Sequence, residues 1–123
     1  MKAKLFFVLF NLASCSVSDY TEDLGNEYSL VSESKTIQFI TGPNDSTFTG
    51  LVPCTVESFA SDDFYIIAKQ RNNPGCSNLD LSSLSINYWI IDKKREKVYG
   101  PLDSLSFNRM RKGMSISNSL KLF

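Results

Sequence analysis

The chain has 123 residues, 42% of them hydrophobic and 12% aromatic, which excludes a disordered composition and fits one domain with a real core. Its 13 basic and 13 acidic side chains cancel, so nothing in the charge points to nucleic acid. There is no histidine, which removes Ser-His-Asp and Cys-His catalysis and nearly every ordinary zinc site.

The chain opens with Met-Lys-Ala-Lys, a short positive segment. Leu5 to Leu12 is an apolar run broken only by Asn11, far shorter than the ~20 residues that span a bilayer. Leu12-Ala13-Ser14-Cys15 follows. A basic start, an apolar octamer and an aliphatic-small-small-Cys tetrapeptide, in that order, read as a lipoprotein export signal over residues 1–14. The small residues admit the peptidase, and the Cys15 thiol receives a diacylglyceryl group. Each buried CH₂ contributes about 0.8 kcal/mol, and two or three chains hold where one would slip. The expected location is the cell membrane or outer membrane, facing the periplasm or the outside. Ser16 replaces the Asp that retains enterobacterial lipoproteins at the inner membrane, which implies the outer membrane in a Gram-negative host.

Removal of the signal leaves 109 residues carrying 11 basic and 13 acidic side chains. Residues 15–27 are polar and acidic, with Asp19, Glu22, Asp23 and Glu27, and read as a solvated tether. A single β-rich domain is expected over residues 28–123. Nine of the acidic residues and only Lys35 among the basic ones lie between Cys15 and Asp63; ten basic and four acidic residues follow. That asymmetry allows a bipolar surface. It equally allows interleaved halves whose charges pair, the commoner outcome in a small domain.

Tyr28 to Val31 and Thr36 to Thr41 read as strands, with Ile37 and Phe39 alternating on one face. Residues 42–46 form a turn by composition. Phe48 to Phe59 is extended, but Pro53 cannot donate a ladder bond, so this is an edge strand or a bulged one. Phe64 to Ala68 and Ile86 to Ile91 are apolar in both alternating sets and must be covered twice. Lys93-Lys94-Arg95-Glu96 makes a charged turn into Lys97-Val98-Tyr99, and Gly100-Pro101 is expected to stop that strand. Leu102, Leu105, Phe107, Met110 and Met114 then suit a short helix over 104–112, capped by Asp103 or Ser104, with Arg109, Arg111 and Lys112 near its C-terminal end. Ile116, Leu120 and Leu122 alternate as a candidate last strand.

The expected fold is therefore mainly β: a small antiparallel sheet closing as a sandwich or barrel, with one short C-terminal helix. The helix covers one face of the central strands. Either the N-terminal strands cover the other, or Tyr65, Ile67, Trp89 and Ile91 stay open as a partner-binding patch, with Tyr65 and Trp89 its aromatic anchors. Closure makes the loop over residues 71–84 the expected contact surface.

Tyr65-Ile66-Ile67-Ala68-Lys69-Gln70, the hairpin from Tyr88 to Asp92 and Lys97 to Leu102, Tyr28-Ser29-Leu30 and the lipobox resemble a family of small bacterial lipoproteins known as domain of unknown function 3997. The resemblance implies no activity.

No constellation of catalytic type stands out. Asp62 and Asp63 are adjacent, but neighbours on a strand point to opposite faces, and Asp is a common turn residue. Asp92 reads as a hairpin-turn residue, and the Gly42 to Thr47 segment lacks the end of a phosphate loop. Cys54 and Cys76 suggest one disulfide in an oxidising compartment, the alternative being two free thiols. No cofactor or metal is implied. The expected role is a non-catalytic, lipid-anchored module. It would hold the membrane through its lipid and bind an envelope protein or surface polymer. The alternative is an envelope hydrolase using carboxylates without histidine.

Overall fold

A computed structural model describes residues 20–43, 45, 50–76 and 85–123. The export signal, Cys15 and residues 77–84 of the expected contact loop lie outside the described residues. Seven strands and one helix occur among the described residues: β1 (Tyr20–Gly25), β2 (Tyr28–Ser32), β3 (Gln38–Thr41), β4 (Val56–Ser61), β5 (Tyr65–Arg71), β6 (Ile86–Asp92), β7 (Lys97–Leu102) and α1 (Ser104–Gly113). They form two antiparallel sheets, β1-β2-β3 and β4-β5-β6-β7. Both orders are linear, so neither sheet closes into a barrel. The mainly β reading with one C-terminal helix holds, in its sandwich form.

Two cores explain the layering. Leu24, Tyr28, Leu30, Ile40 and Val52 pack against Ile66, Ala68, Trp89 and Ile91, so the small sheet covers one face of the large one. On the other face Ile67 and Ile90 pack with Phe107, Ile116 and Leu120, so α1 and the chain after it cover that side. Double-sided apolarity in β5 and β6 thus has its physical reason: each strand serves two cores. The rings of Tyr88 and Phe107 stack at 4.9 Å between centroids.

Several expectations need correction. Part of the expected tether is β1, a strand whose residues Tyr20 to Asp23 pair with Ser32 to Ser29 of β2. Its polar sequence fits because it is an edge strand with one solvated side. In β3 the buried residue is Ile40, not Ile37 or Phe39; Ile37 is exposed. The extended stretch around Pro53 becomes an isolated bridge from Val52 to Ile40, then β4, an edge strand bulged between Val56 and Ser58. Gly100-Pro101 does not stop β7, which runs on to Leu102. β7 is an edge strand with an extra residue opposite Tyr88 to Ile90, and that bulge accommodates the missing donor. A Cβ at Gly100 would lie 2.5 Å from Cε3 of Trp89.

The helix is capped by Asp103, whose carboxylate accepts from the Ser106 N–H at 2.7 Å and is thereby held below the ordinary aspartate range. Its inward stripe is buried Phe107 with Met110 and Met114 partly buried beside it; Leu105, two residues before Phe107, points to solvent. No last strand forms after it. Arg111 donates to the carbonyls of Ser117, at 2.7 Å, and Leu120, holding the chain in turns that bury Ile116 and Leu120.

Charge separates by layer. Residues 20–41, which form the outer sheet, carry Glu22, Asp23, Glu27 and Glu33 against Lys35. Residues 103–123, the opposite layer, carry Arg109, Arg111, Lys112 and Lys121 against Asp103. Interleaving, the favoured expectation, describes only the middle sheet.

Candidate functional site

Opposite partners across an antiparallel ladder share a face. Trp89 is opposite Ala68, and Tyr65 is opposite Asp92, which puts the two aromatics on opposite faces of the large sheet. The expected patch of Tyr65, Ile67, Trp89 and Ile91 therefore does not exist as one surface. Tyr65 and Ile67 face α1, while Trp89 and Ile91 face the small sheet. Trp89 is 5% exposed, and its indole N–H donates to Oε1 of Gln70 at 2.9 Å. Gln70 in turn donates to the carbonyl of Cys54 at 3.2 Å. This is a satisfied core network, the structural role that buried Trp commonly takes.

Cys54 and Cys76 are joined as a disulfide, with Cα atoms 5.8 Å apart. The bond ties the chain before β4 to the Pro74-Gly75 turn. Around it Asn73 donates to the Thr36 carbonyl at 3.3 Å and to Thr55 Oγ1 at 3.1 Å. Asn87 donates to Asn72 Oδ1 at 2.8 Å, while its own Oδ1 is buried without a partner. Thr55 Oγ1 also donates to the carbonyl of Thr36. The two sheets are thus laced together at this end.

At the other end three reversals meet: the Gly25–Tyr28 connection, the Asp62–Phe64 turn and the Lys93–Glu96 turn. Lys93 sits among them and is only 4% exposed. Its ammonium donates to the carbonyl of Leu24 and, at 2.6 Å, to that of Asp62. Burial pushes the lysine pKa down, and the charges of Asp62, Asp63 and Asp23 oppose that shift without cancelling it. Asp92 is equally buried. Burial pushes its carboxyl up, but bonds from the Arg95 backbone N–H at 3.1 Å and guanidinium at 2.9 Å outweigh this and hold it low. Its turn role, expected from sequence, is the one it has.

Beside Lys93 lies an open groove of about 790 Å³. Its walls include Glu22 and Asp23 of β1, Asp62 and Asp63 of the turn, and Ser119 and Lys121 from the chain after α1. Asp62 and Asp63 do not form a converging catalytic pair. One oxygen of Asp62 accepts the N–H groups of Phe64 and Tyr65, both at 2.8 Å, and Asp23 accepts from Gly25 at 2.9 Å. Among the described residues no three carboxylate or cysteine side chains gather as a metal cluster.

Reading along the chain misses this groove. Glu22 and Asp23 look like tether, and Lys93 looks like its neighbours Lys94 and Arg95. No local feature distinguishes the buried cation from the solvated ones.

The family model described as protein of unknown function (DUF3997) matches residues 25–123. The chain belongs to the DUF3997 family. The match covers β2 to the end of the chain, including the disulfide and, apart from Leu24, both cores. No curated protein and no solved structure matches the chain. The description of the DUF3997 family assigns no chemistry.

Proposed function

We propose that this DUF3997 protein is a lipid-anchored module of the bacterial cell envelope that works by holding a partner. The anchor is Cys15, and the location is the cell membrane or outer membrane. The reading of the site rests on one observation: the groove beside Lys93 is walled by Glu22, Asp23, Asp62 and Asp63, while the nearby ammonium is committed to backbone carbonyls. Asp62 and Asp23 each spend an oxygen on their own turns, so Glu22 and Asp63 are the carboxylates this groove chiefly offers to an incoming cationic segment. The favoured partner is an envelope protein that presents lysine or arginine side chains, attracted by complementary charge. The hydrolase alternative draws no support from Asp62, whose carboxylate is used by its own turn.

A photo-reactive residue placed at Ser119, on the groove wall, should give a specific cross-linked product in intact cells. The same residue at Leu105, exposed on α1, should not. Glu22→Gln combined with Asp63→Asn should weaken the Ser119 product. Equal products from both positions, indifferent to the acidic substitutions, would remove the groove from consideration.

A further inference from the structure

The sandwich has two chemically different ends, and strand direction fixes which elements share each. β1 begins at Tyr20, opposite Ser32, and Ser32 is opposite Gln38. Thr36 bonds to Thr55 and Asn73, so the start of β1 lies at the end that carries the Ser32–Gln38 connection, the disulfide and the Asn72-Asn73 turn. The end of β1 is pinned elsewhere: Leu24 bonds to Ser61 and Lys93 among the three reversals.

Five peptide steps separate Cys15 from Tyr20, and an extended chain spans at most about 3.6 Å per step, or ~18 Å. β1 itself, at about 3.3 Å per residue, carries the chain a further ~20 Å to the reversals. The disulfide end is thus held near whatever surface Cys15 is fixed to.

Charge agrees with this placement. Among the described residues at the disulfide end Glu33, Lys35, Glu57 and Arg71 balance, and Arg71 is paired with Glu57 at 2.5 Å. At the end with the three reversals, Glu22, Asp23, Glu27, Asp62, Asp63, Asp92 and Glu96 outnumber Lys93, Lys94, Arg95, Lys97 and Lys121. An anionic lipid surface repels the second end and tolerates the first.

We propose that the disulfide end is the lipid-facing surface of this domain, with the Ser32–Gln38 connection and the Asn72–Pro74 turn lying against the headgroups, and that the acidic groove points away from the membrane. This rests on the reading of Cys15 as the anchor. It also supplies what that reading leaves open, namely which surface a soluble partner can reach.

Hydrogen exchange on the acylated full-length protein in phosphatidylglycerol–phosphatidylethanolamine vesicles, compared with lipid-free Cys15→Ala, tests it. Exchange at residues 33–36 and 72–75 should slow several-fold in vesicles, and at residues 26–27, 62–64 and 94–96 it should not change. Slowing at the three reversals, or no slowing anywhere in protein that carries the acyl mass, overturns the orientation and leaves the anchor standing. Absence of acyl mass on Cys15 overturns the anchor reading and this inference with it.

Discussion

The ammonium of Lys93 donates to the backbone carbonyl of Leu24, joining the turn after β6 to the end of β1 and so fastening one sheet to the other. A second bond reaches the carbonyl of Asp62, where the chain turns between β4 and β5. One side chain therefore serves three segments that are far apart in sequence.

Lys93→Met keeps most of the aliphatic stem and removes the donors. Ser61 Oγ lies 3.1 Å from the Leu24 carbonyl and 3.4 Å from that of Asp62, but its single proton cannot serve both. A loss of about 1–3 kcal/mol is expected, the cost of leaving one buried polar group unsatisfied. Urea unfolding measures it. A variant as stable as the parent would show that relief of the buried charge offsets the lost bonds.

Removal of the disulfide by Cys76→Ser should lower stability by about 3 kcal/mol in the chain-entropy model, for a sequence separation of 22. The matching observation is a shift of the urea midpoint of the parent on addition of reductant. No such shift should occur in the variant.

Stability should fall in acid through Asp92. Its carboxyl is held below the ordinary value, so the folded state binds that proton less readily than the unfolded chain. The contribution is complete above about pH 4 and is lost as pH drops from there through the folded value. Asp92→Asn should flatten this part of the profile and cost about 1 kcal/mol at neutral pH, given that Arg95 is largely exposed. Thermal unfolding between pH 2 and 6 separates the two proteins.

Trp89 should be shielded from iodide, because the small sheet covers it. Gly100→Ala should disturb that cover. The new methyl would fall 2.5 Å from the ring, and φ is +151° at this position. A loss of about 1–3 kcal/mol is expected, with a measurable rise in quenching. Free quenching in the parent would contradict the sandwich.

Cys15→Ala should abolish fatty-acid incorporation and release the protein from the membrane fraction. Metabolic labelling decides it, and label retained by the variant would sink the anchor proposal.

Much of the layered fold was legible along the chain. Phe64 to Ala68 and Ile86 to Ile91 are apolar in both alternating sets, and a strand like that requires cover on two sides wherever it occurs. The helix was equally plain, because Phe107, Met110 and Met114 follow its period and Asp103 caps it. Two cysteines left in a domain read as exported suggested the Cys54–Cys76 bond, with two free thiols as the alternative that the structure removed.

The rest was decided by partners that no local pattern contains. Glu22 and Asp23 became a strand because β2 lies beside them, although their sequence alone suits a tether. Tyr65 and Trp89 were parted by register: one residue of slip in β5 against β6 would have put them on the same face. Gly100-Pro101 continued a strand because it falls on an edge, where a missing donor costs no ladder bond. The groove is of the same kind. Periodicity in sequence determines how one element distributes its own side chains, and it determined the two-sided strands here. Which charges meet, and which lysine among four neighbouring ionic residues is buried, depends on carbonyls contributed by segments tens of residues away, and only packing brings those together.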